Sequence, residues 1–146
     1  MKKLLFLLPA FLLLAADPAG FGHFEDAAIK AKMATLKSGV SETLGNYGNH
    51  QLLIIHRDST GQAEFHETQA DVIIVRAGGG SIKIGGKILD GKTTAPNEIR
   101  GTVIEGAQVH PLKEGDVMHI PAKTPHQVML ETGQTIDYVA VKVDAK

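Results

Sequence analysis

The feature that most constrains the fold is a succession of short apolar runs that fills the chain from Leu52 to Val143. The runs are rich in valine, isoleucine and leucine, and glycine or other turn-forming residues separate each from the next. This pattern is typical of an all-β sandwich or barrel. It predicts strands at 52–56, 63–67, 71–76, 81–84, 101–105, 108–112, 116–120, 126–131 and 135–143, with a hairpin tip at 88–92 and a loop at 93–97.

One amphipathic helix is predicted before the strands, over residues 26–37. Ile29, Met33 and Leu36 recur at helical spacing among alanines and lysines, and Ser38-Gly39 provides a stop. We expect this helix to pack on the sheet or on a partner subunit.

Residues 1–16 are typical of a secretory signal peptide. Lys2 and Lys3 precede a short apolar run, and Ala15-Ala16 forms a small-residue cleavage site. A retained anchor or a buried helix is the alternative. The expected organisation is a signal peptide at 1–16, an extension with the helix at 17–45 and a β-barrel domain at 46–146. The protein is then periplasmic or secreted, with no membrane attachment after cleavage.

Charge and cysteine content exclude other classes of protein. The 15 basic and 16 acidic residues include no basic run, so nucleic acid is not an expected partner. Loss of Lys2 and Lys3 with the signal peptide leaves 13 basic residues and a net charge of −3. The chain has no cysteine, so an exported form has no disulfide and depends on packing, and on metal if one binds.

Two histidines and two carboxylates form the candidate site. Glu64 and His66 are two residues apart on a predicted strand, so both side chains leave the same face. Asp71 opens the next strand and His126 opens a later one. Strand parity places Asp71 and His126 on the inward faces of their strands. Such a set suits a transition metal, or hydrogen bonding to a polar ligand without metal.

The run from Glu64 to Gly78 resembles the first motif of the cupins, small jelly-roll β-barrels. That motif reads His-x-His, three or four residues, Glu, six residues, Gly. Here Glu64-x-His66 is followed by four residues, Asp71, six residues and Gly78. The spacing matches, while glutamate replaces the first histidine and aspartate replaces the glutamate.

The run from Gly115 to His126 resembles the second cupin motif, which reads Gly, five residues, Pro-x-Gly, two residues, His. Gly115 is followed by five residues, Pro121-Ala122-Lys123, two residues and His126. Lys123 replaces the motif's second glycine. The resemblance spans 52–143 and implies an all-β jelly-roll barrel. The expected fold is therefore such a barrel, preceded by the one predicted amino-terminal helix.

The resemblance also implies four metal ligands, at Glu64, His66, Asp71 and His126, for Mn, Fe, Ni or Zn. The oxygen ligands favour manganese or iron. Asp71 is one methylene shorter than the usual glutamate and could bind through water, and Glu64 could instead orient His66.

Three further residues are candidates for contacts with a substrate: Arg57, which could hold a carboxylate, Tyr47 before the first predicted strand, and His119. Ile74 and Met129 make the outward faces partly apolar, which a homodimer would explain. We expect a small-molecule ligand. Metal-dependent oxygenase, isomerase, lyase or decarboxylase chemistry is one possibility, and a non-catalytic binding or sensing protein without metal is the alternative.

Overall fold

The computed structural model describes residues 17–145, so the predicted signal peptide lies outside the described residues. In that range the elements are α1 (Asp26–Met33), β1 (Ser41–Asn46), β2 (His50–Arg57), β3 (Ala63–His66), β4 (Gln69–Ile84), β5 (Lys87–Leu89), β6 (Lys92–Ala95), β7 (Glu98–Gly101), β8 (Val103–Glu105), β9 (Gln108–Lys113), β10 (Val117–Ile120), β11 (His126–Met129) and β12 (Ile136–Asp144). The all-β prediction is confirmed. The single described helix, α1, is too short to span a membrane.

Ten strands form one curled antiparallel sheet, and β5 pairs with β8 in a small second sheet. The main path runs β1-β2-β12-β4-β11-β3-β7-β6, and β9 and β10 also pair with β4. The long strand β4 is therefore the centre of the fold. Its first half pairs with β10 and β12, and its second half pairs with β9 and β11.

Glycines allow β4 to continue where two strands, 71–76 and 81–84, were predicted. Gly78 has φ +70°, and a Cβ there would lie 2.0 Å from the carbonyl oxygen of Thr135. A Cβ on Gly80 would lie 2.6 Å from the carbonyl oxygen of Met129. The glycines therefore do not end the strand. They allow neighbouring backbones to pack closely and allow β4 to bend.

The main apolar core lies inside the curled sheet. On β4 the buried residues Asp71, Ile73 and Val75 alternate with half-buried ones, which confirms the predicted parity. The apolar members of this core are Leu53, Ile55, Ile73, Val75, Ile82, Leu112, Ile120, Val128, Ile136, Tyr138 and Ala140.

The helix covers the outer face of the sheet, where Ile29 and Met33 pack against Ile54. It ends at Met33, four residues before the predicted end. The Thr35 hydroxyl donates to the Lys32 carbonyl, and the Thr35 N–H donates to the same oxygen. These three-residue contacts tighten the chain and end the α-helix.

Two edge strands are present where none was predicted. β1 begins at Ser41 and pairs with β2, so the sheet begins within the predicted extension 17–45. Most of β6 lies within the predicted loop 93–97, and β6 pairs with β7, which follows that loop. All four residues of β6 are exposed. An exposed edge strand requires only backbone pairing on one side, so it carries no apolar alternation that sequence analysis could detect.

Candidate metal and ligand site

Strand register brings the candidate residues together. Glu64 on β3 lies opposite His126 on β11 and, on the other side, opposite Arg100 on β7. Asp71 on β4 lies opposite Lys142 on β12. Residues opposite each other in an antiparallel pair have side chains on the same face, so these groups meet in one place.

The two histidine rings direct their Nε2 atoms towards Asp71. His126 Nδ1 lies 3.0 Å from the Thr124 carbonyl oxygen, which can only accept, so Nδ1 carries the proton. The Nε2 atoms of His126 and His66 lie 3.3 and 3.4 Å from Asp71 Oδ2. His66 Nε2 is also 3.5 Å from Glu64 Oε2. Both rings thus present Nε2 to the Asp71 carboxylate.

The loop before β11 holds this arrangement from one side. The Lys123 N–H donates to the carbonyl oxygen of His66 at 2.8 Å. Lys123 has φ +64°, a left-handed conformation that glycine adopts most easily. It stands where the second cupin motif has glycine, so the backbone of the motif is kept although the residue differs.

Neighbouring charges keep both site carboxylates ionised. Burial by itself raises the pKa of Glu64, but hydrogen bonding with His66 and the charge of Arg100 outweigh it and lower this pKa to about 2. Burial likewise opposes ionisation of Asp71, and hydrogen bonds with His126 and His66 lower its pKa well below the ordinary value. The site therefore offers two anionic oxygen donors at neutral pH.

The Lys142 ammonium lies among these groups. Its Nζ is 2.8 Å from His66 Nε2 and 3.1 and 3.3 Å from the two Asp71 oxygens. Burial lowers the pKa of His66, but hydrogen bonds with Asp71 and Glu64 outweigh this and raise it to about 8. While the ring is neutral, Lys142 donates to Nε2.

Two arginines complete the charged cluster. Arg100 donates to Glu64 at 3.0 Å and to Glu98 at 2.6 Å. Arg57 donates from Nε to the Tyr138 hydroxyl at 2.9 Å, and its guanidinium lies 3.6 Å from Glu64.

These groups line a cavity of about 440 Å³, large enough for a small organic molecule. Besides Tyr138, its ionisable lining consists of three acids, three bases and one histidine: Glu64, Asp71, Glu98, Arg57, Arg100, Lys142 and His126. With the histidine neutral, the formal charges cancel. The wall also has an apolar part, formed by Leu53, Ile55, Ile73, Val128 and Ala140.

The structure thus brings Glu64, His66, Asp71 and His126 into one cluster, and Arg57 into the lining of the same cavity. Tyr47 lies elsewhere, stacked on His50 with ring centroids 5.0 Å apart. His119 is exposed on β10 and lines a separate outer groove. Neither residue is among those that line the cavity, and a role in substrate binding stays a prediction.

Sequence analysis missed Glu98, Arg100 and Lys142. Lys142 shares strand parity with the buried residues Tyr138 and Ala140, which was the available signal. The opposite face of β12 carries valines as well, so parity alone did not show which face is inward. Glu98 and Arg100 alternate on a short strand whose pairing with β3 only the structure reveals.

The residues present fit a metal ion by their donor chemistry. One ligand atom each from Glu64, His66 and His126 lie within 4.8 Å of one another, and both histidines are buried. Two imidazoles and a carboxylate are a common set for divalent transition metals. The contact of Thr124 with His126 Nδ1 is the kind of outer contact that orients a ligating ring.

No protein-family model matches the chain, and no curated protein matches it. Solved structures do match the chain. With hydroquinone 1,2-dioxygenase from Sphingomonas sp. TTNP3, solved with 4-hydroxybenzoate bound, the TM-score is 0.62 at 10% identity, over 90% of this chain and 85% of that one.

Two matching structures carry the cupin name. A cupin-2 domain containing protein from Shewanella frigidimarina gives a TM-score of 0.52 at 13% identity, over 78% of this chain and 89% of that one. A cupin protein from Bacteroides fragilis gives 0.50 at 15% identity, over 76% and 81%. At these identities the similarity shows the fold and not the activity. The chain therefore has a cupin-like fold, as its two motifs predicted.

Proposed function

We propose that this protein binds a divalent transition metal through His66, His126 and Glu64, with Asp71 as a fourth ligand or as a partner through water. The observation that carries the proposal is the convergence of three donor atoms within 4.8 Å, two of them from buried histidines. The ion would supply Lewis-acid or redox chemistry. The sequence favours manganese or iron over zinc and nickel because of the oxygen donors.

We further propose that a small organic molecule binds in the cavity beside the metal. The volume suits such a ligand, and the wall combines an apolar floor with the guanidinium groups of Arg57 and Arg100. An arginine of this kind recognises a carboxylate or another oxyanion. The dioxygenase of the same fold was solved with 4-hydroxybenzoate bound, which supports a small aromatic or aliphatic acid as the ligand class.

Metal analysis tests the proposal. The protein is purified without metal-affinity resin, and bound metal is measured by inductively coupled plasma mass spectrometry. We expect His126→Ala to abolish metal binding, Asp71→Ala to weaken it and Glu64→Gln to have an intermediate effect. His119→Ala, on the outer face, is the matched control and should bind like the natural protein. Equal metal content in all four variants would contradict the site.

A second candidate is a binding or sensing protein that has lost its metal. It is favoured by the position of Lys142, whose ammonium contacts both His66 and Asp71. For this candidate the native protein contains no stoichiometric metal, and chelation leaves its melting temperature unchanged. A ligand of the stated class still binds the metal-free protein in calorimetry.

We also propose that the protein is exported and forms a homodimer. Residues 1–16 support export, and the exposed strand residues Val109 and Val117 support a covering partner. The mass of the mature protein from a periplasmic or culture fraction tests cleavage after Ala16. Light scattering on the mature protein tests the dimer, and a concentration-independent monomer mass would exclude it.

A further inference from the structure

We infer that the Lys142 ammonium and the metal ion compete for the same ligand atoms, so that Lys142 sets how tightly the site binds metal. The inference deepens the proposed function and rests on its metal site. It concerns a residue outside the ligand set, on the carboxyl-terminal strand, that neither cupin motif contains.

The Nε2 atom of His66 can bind only one partner at a time. A neutral imidazole Nε2 has a single lone pair, which can accept one hydrogen bond or bind one metal ion. Lys142 Nζ lies 2.8 Å from His66 Nε2, and a metal ion would bind that nitrogen at about 2.0–2.1 Å. The ammonium and the ion therefore cannot both face His66.

The charged side chains that line the cavity already balance one another without a metal ion. The three carboxylates of the cavity are balanced by Arg57, Arg100 and Lys142. A divalent ion added to this set leaves two excess positive charges in a partly buried space. Movement of Lys142 out of the cluster would lower that excess and would return both Asp71 oxygens to the ion. Lys142 is the cation of the three that contacts a ligating nitrogen directly.

The Lys142 side chain can move out of the cluster. This side chain is 20% exposed, and Lys142 lies two residues before the end of β12. The residue has a long flexible stem, and among the described residues its side-chain hydrogen bonds are to His66 and Asp71 alone. The guanidinium groups, in contrast, are tied to Tyr138, Glu64 and Glu98. In this arrangement Lys142 stabilises the metal-free protein and lowers its metal affinity.

Calorimetric titration of chelator-treated protein with Mn²⁺ and with Zn²⁺, at one fixed pH, tests the inference. The variants are Lys142→Leu, whose side chain cannot ligate a metal, Lys142→Arg, which keeps the charge, and Lys113→Leu as the exposed control. We expect Lys142→Leu to bind at least tenfold tighter than the natural protein. Lys142→Arg and Lys113→Leu should stay within about threefold of it. Without metal, Lys142→Leu should melt below the natural protein, and saturating metal should raise its melting temperature more.

The outcomes separate the inference from the proposed function. Equal affinity of the natural protein and Lys142→Leu would overturn the competition and leave the metal site standing. Binding by Lys142→Leu alone would support the competition and show that the natural chain is metal-free. Binding by neither would overturn both.

A measurement on the natural protein covers the case in which Lys142→Leu does not fold. In a protein with ¹³C-labelled lysine, the signal missing from Lys142→Arg identifies the Lys142 ε-methylene. This signal should move on addition of Zn²⁺ while other lysine signals stay. A signal that stays in place while zinc is bound would overturn the inference.

Discussion

The two ends of the barrel interior are built from the same strands but held together by different forces. On β4 the inward face carries Asp71 at the polar end and Val75 towards the apolar end, and on β12 it carries Lys142 at the polar end and Ile136 at the apolar end. The apolar end is stabilised by burial alone. The polar end is stabilised only while each charge has its partner, because an unpaired charge in such a site costs several kcal/mol. Function can therefore change at the polar end while the apolar end keeps the fold.

The largest expected effect is at the apolar end. Ile82 is fully buried in the core, so Ile82→Ala should lower the free energy of unfolding by about 4 kcal/mol through lost burial and the cavity left behind. Urea unfolding measures it. The loss should be the same with and without bound metal, since Ile82 packs in the apolar core and is not a candidate ligand. Val40→Ala, 48% exposed, is the control and should change stability by less than about 0.5 kcal/mol.

The difference between the two ends also explains what the sequence could predict. Apolar alternation along β4 and turn residues between runs predicted the fold class and most strands. Motif spacing predicted that Glu64, His66, Asp71 and His126 lie together, as they do in the structure. The pairing of Asp71 with Lys142 could not be predicted, because it depends on strand register between segments about seventy residues apart. A lysine near the end of a strand resembles any exposed lysine until its partner strand is known.

The second largest loss of stability is expected at the polar end. Asp71→Asn leaves the Lys142 ammonium with a neutral partner inside the cluster, and we expect a loss of about 2–3 kcal/mol in metal-free protein because a buried pair is broken. The double variant Asp71→Asn/Lys142→Leu should recover part of this loss, since neither charge then remains unpaired. Urea unfolding of the four proteins of the cycle gives the coupling energy. If the effects of the two substitutions on the free energy of unfolding are additive, the polar end is stabilised by burial, as the apolar end is, and not by this charge pair.

The third effect is a pH dependence that the apolar end lacks. The pKa of Glu64 falls from an ordinary value of 4.5 to about 2 on folding, so its ionised form stabilises the folded protein above about pH 4.5. This contribution is lost as the pH falls towards 2. Each pKa unit corresponds to about 1.4 kcal/mol, so the contribution at neutral pH is on the order of 2 kcal/mol after allowance for solvent screening.

Glu64→Gln in metal-free protein measures this contribution. The stability difference from the natural protein should be largest at pH 7 and should shrink by pH 3, because Glu64 is then protonated in the unfolded chain and must lose that proton to be ionised in the folded protein. Ile82→Ala should show the same loss at both pH values. A Glu64→Gln difference that is constant with pH would mean that packing, and not charge, makes Glu64 important.

The smallest effect concerns the backbone that holds the polar end. Lys123 has φ +64°, which costs a residue with a Cβ about 1 kcal/mol relative to glycine, and its N–H donates to the His66 carbonyl. Its side chain pairs with Glu67 at 3.1 Å, but both groups are exposed and such a pair contributes little. Lys123→Gly should therefore raise the free energy of unfolding by up to about 1 kcal/mol, measured in urea. Lys113→Gly, in a strand, should lower it. A loss in Lys123→Gly would mean that the Glu67 pair outweighs the backbone strain, and the lysine at this motif position would then stabilise the polar end through its charge.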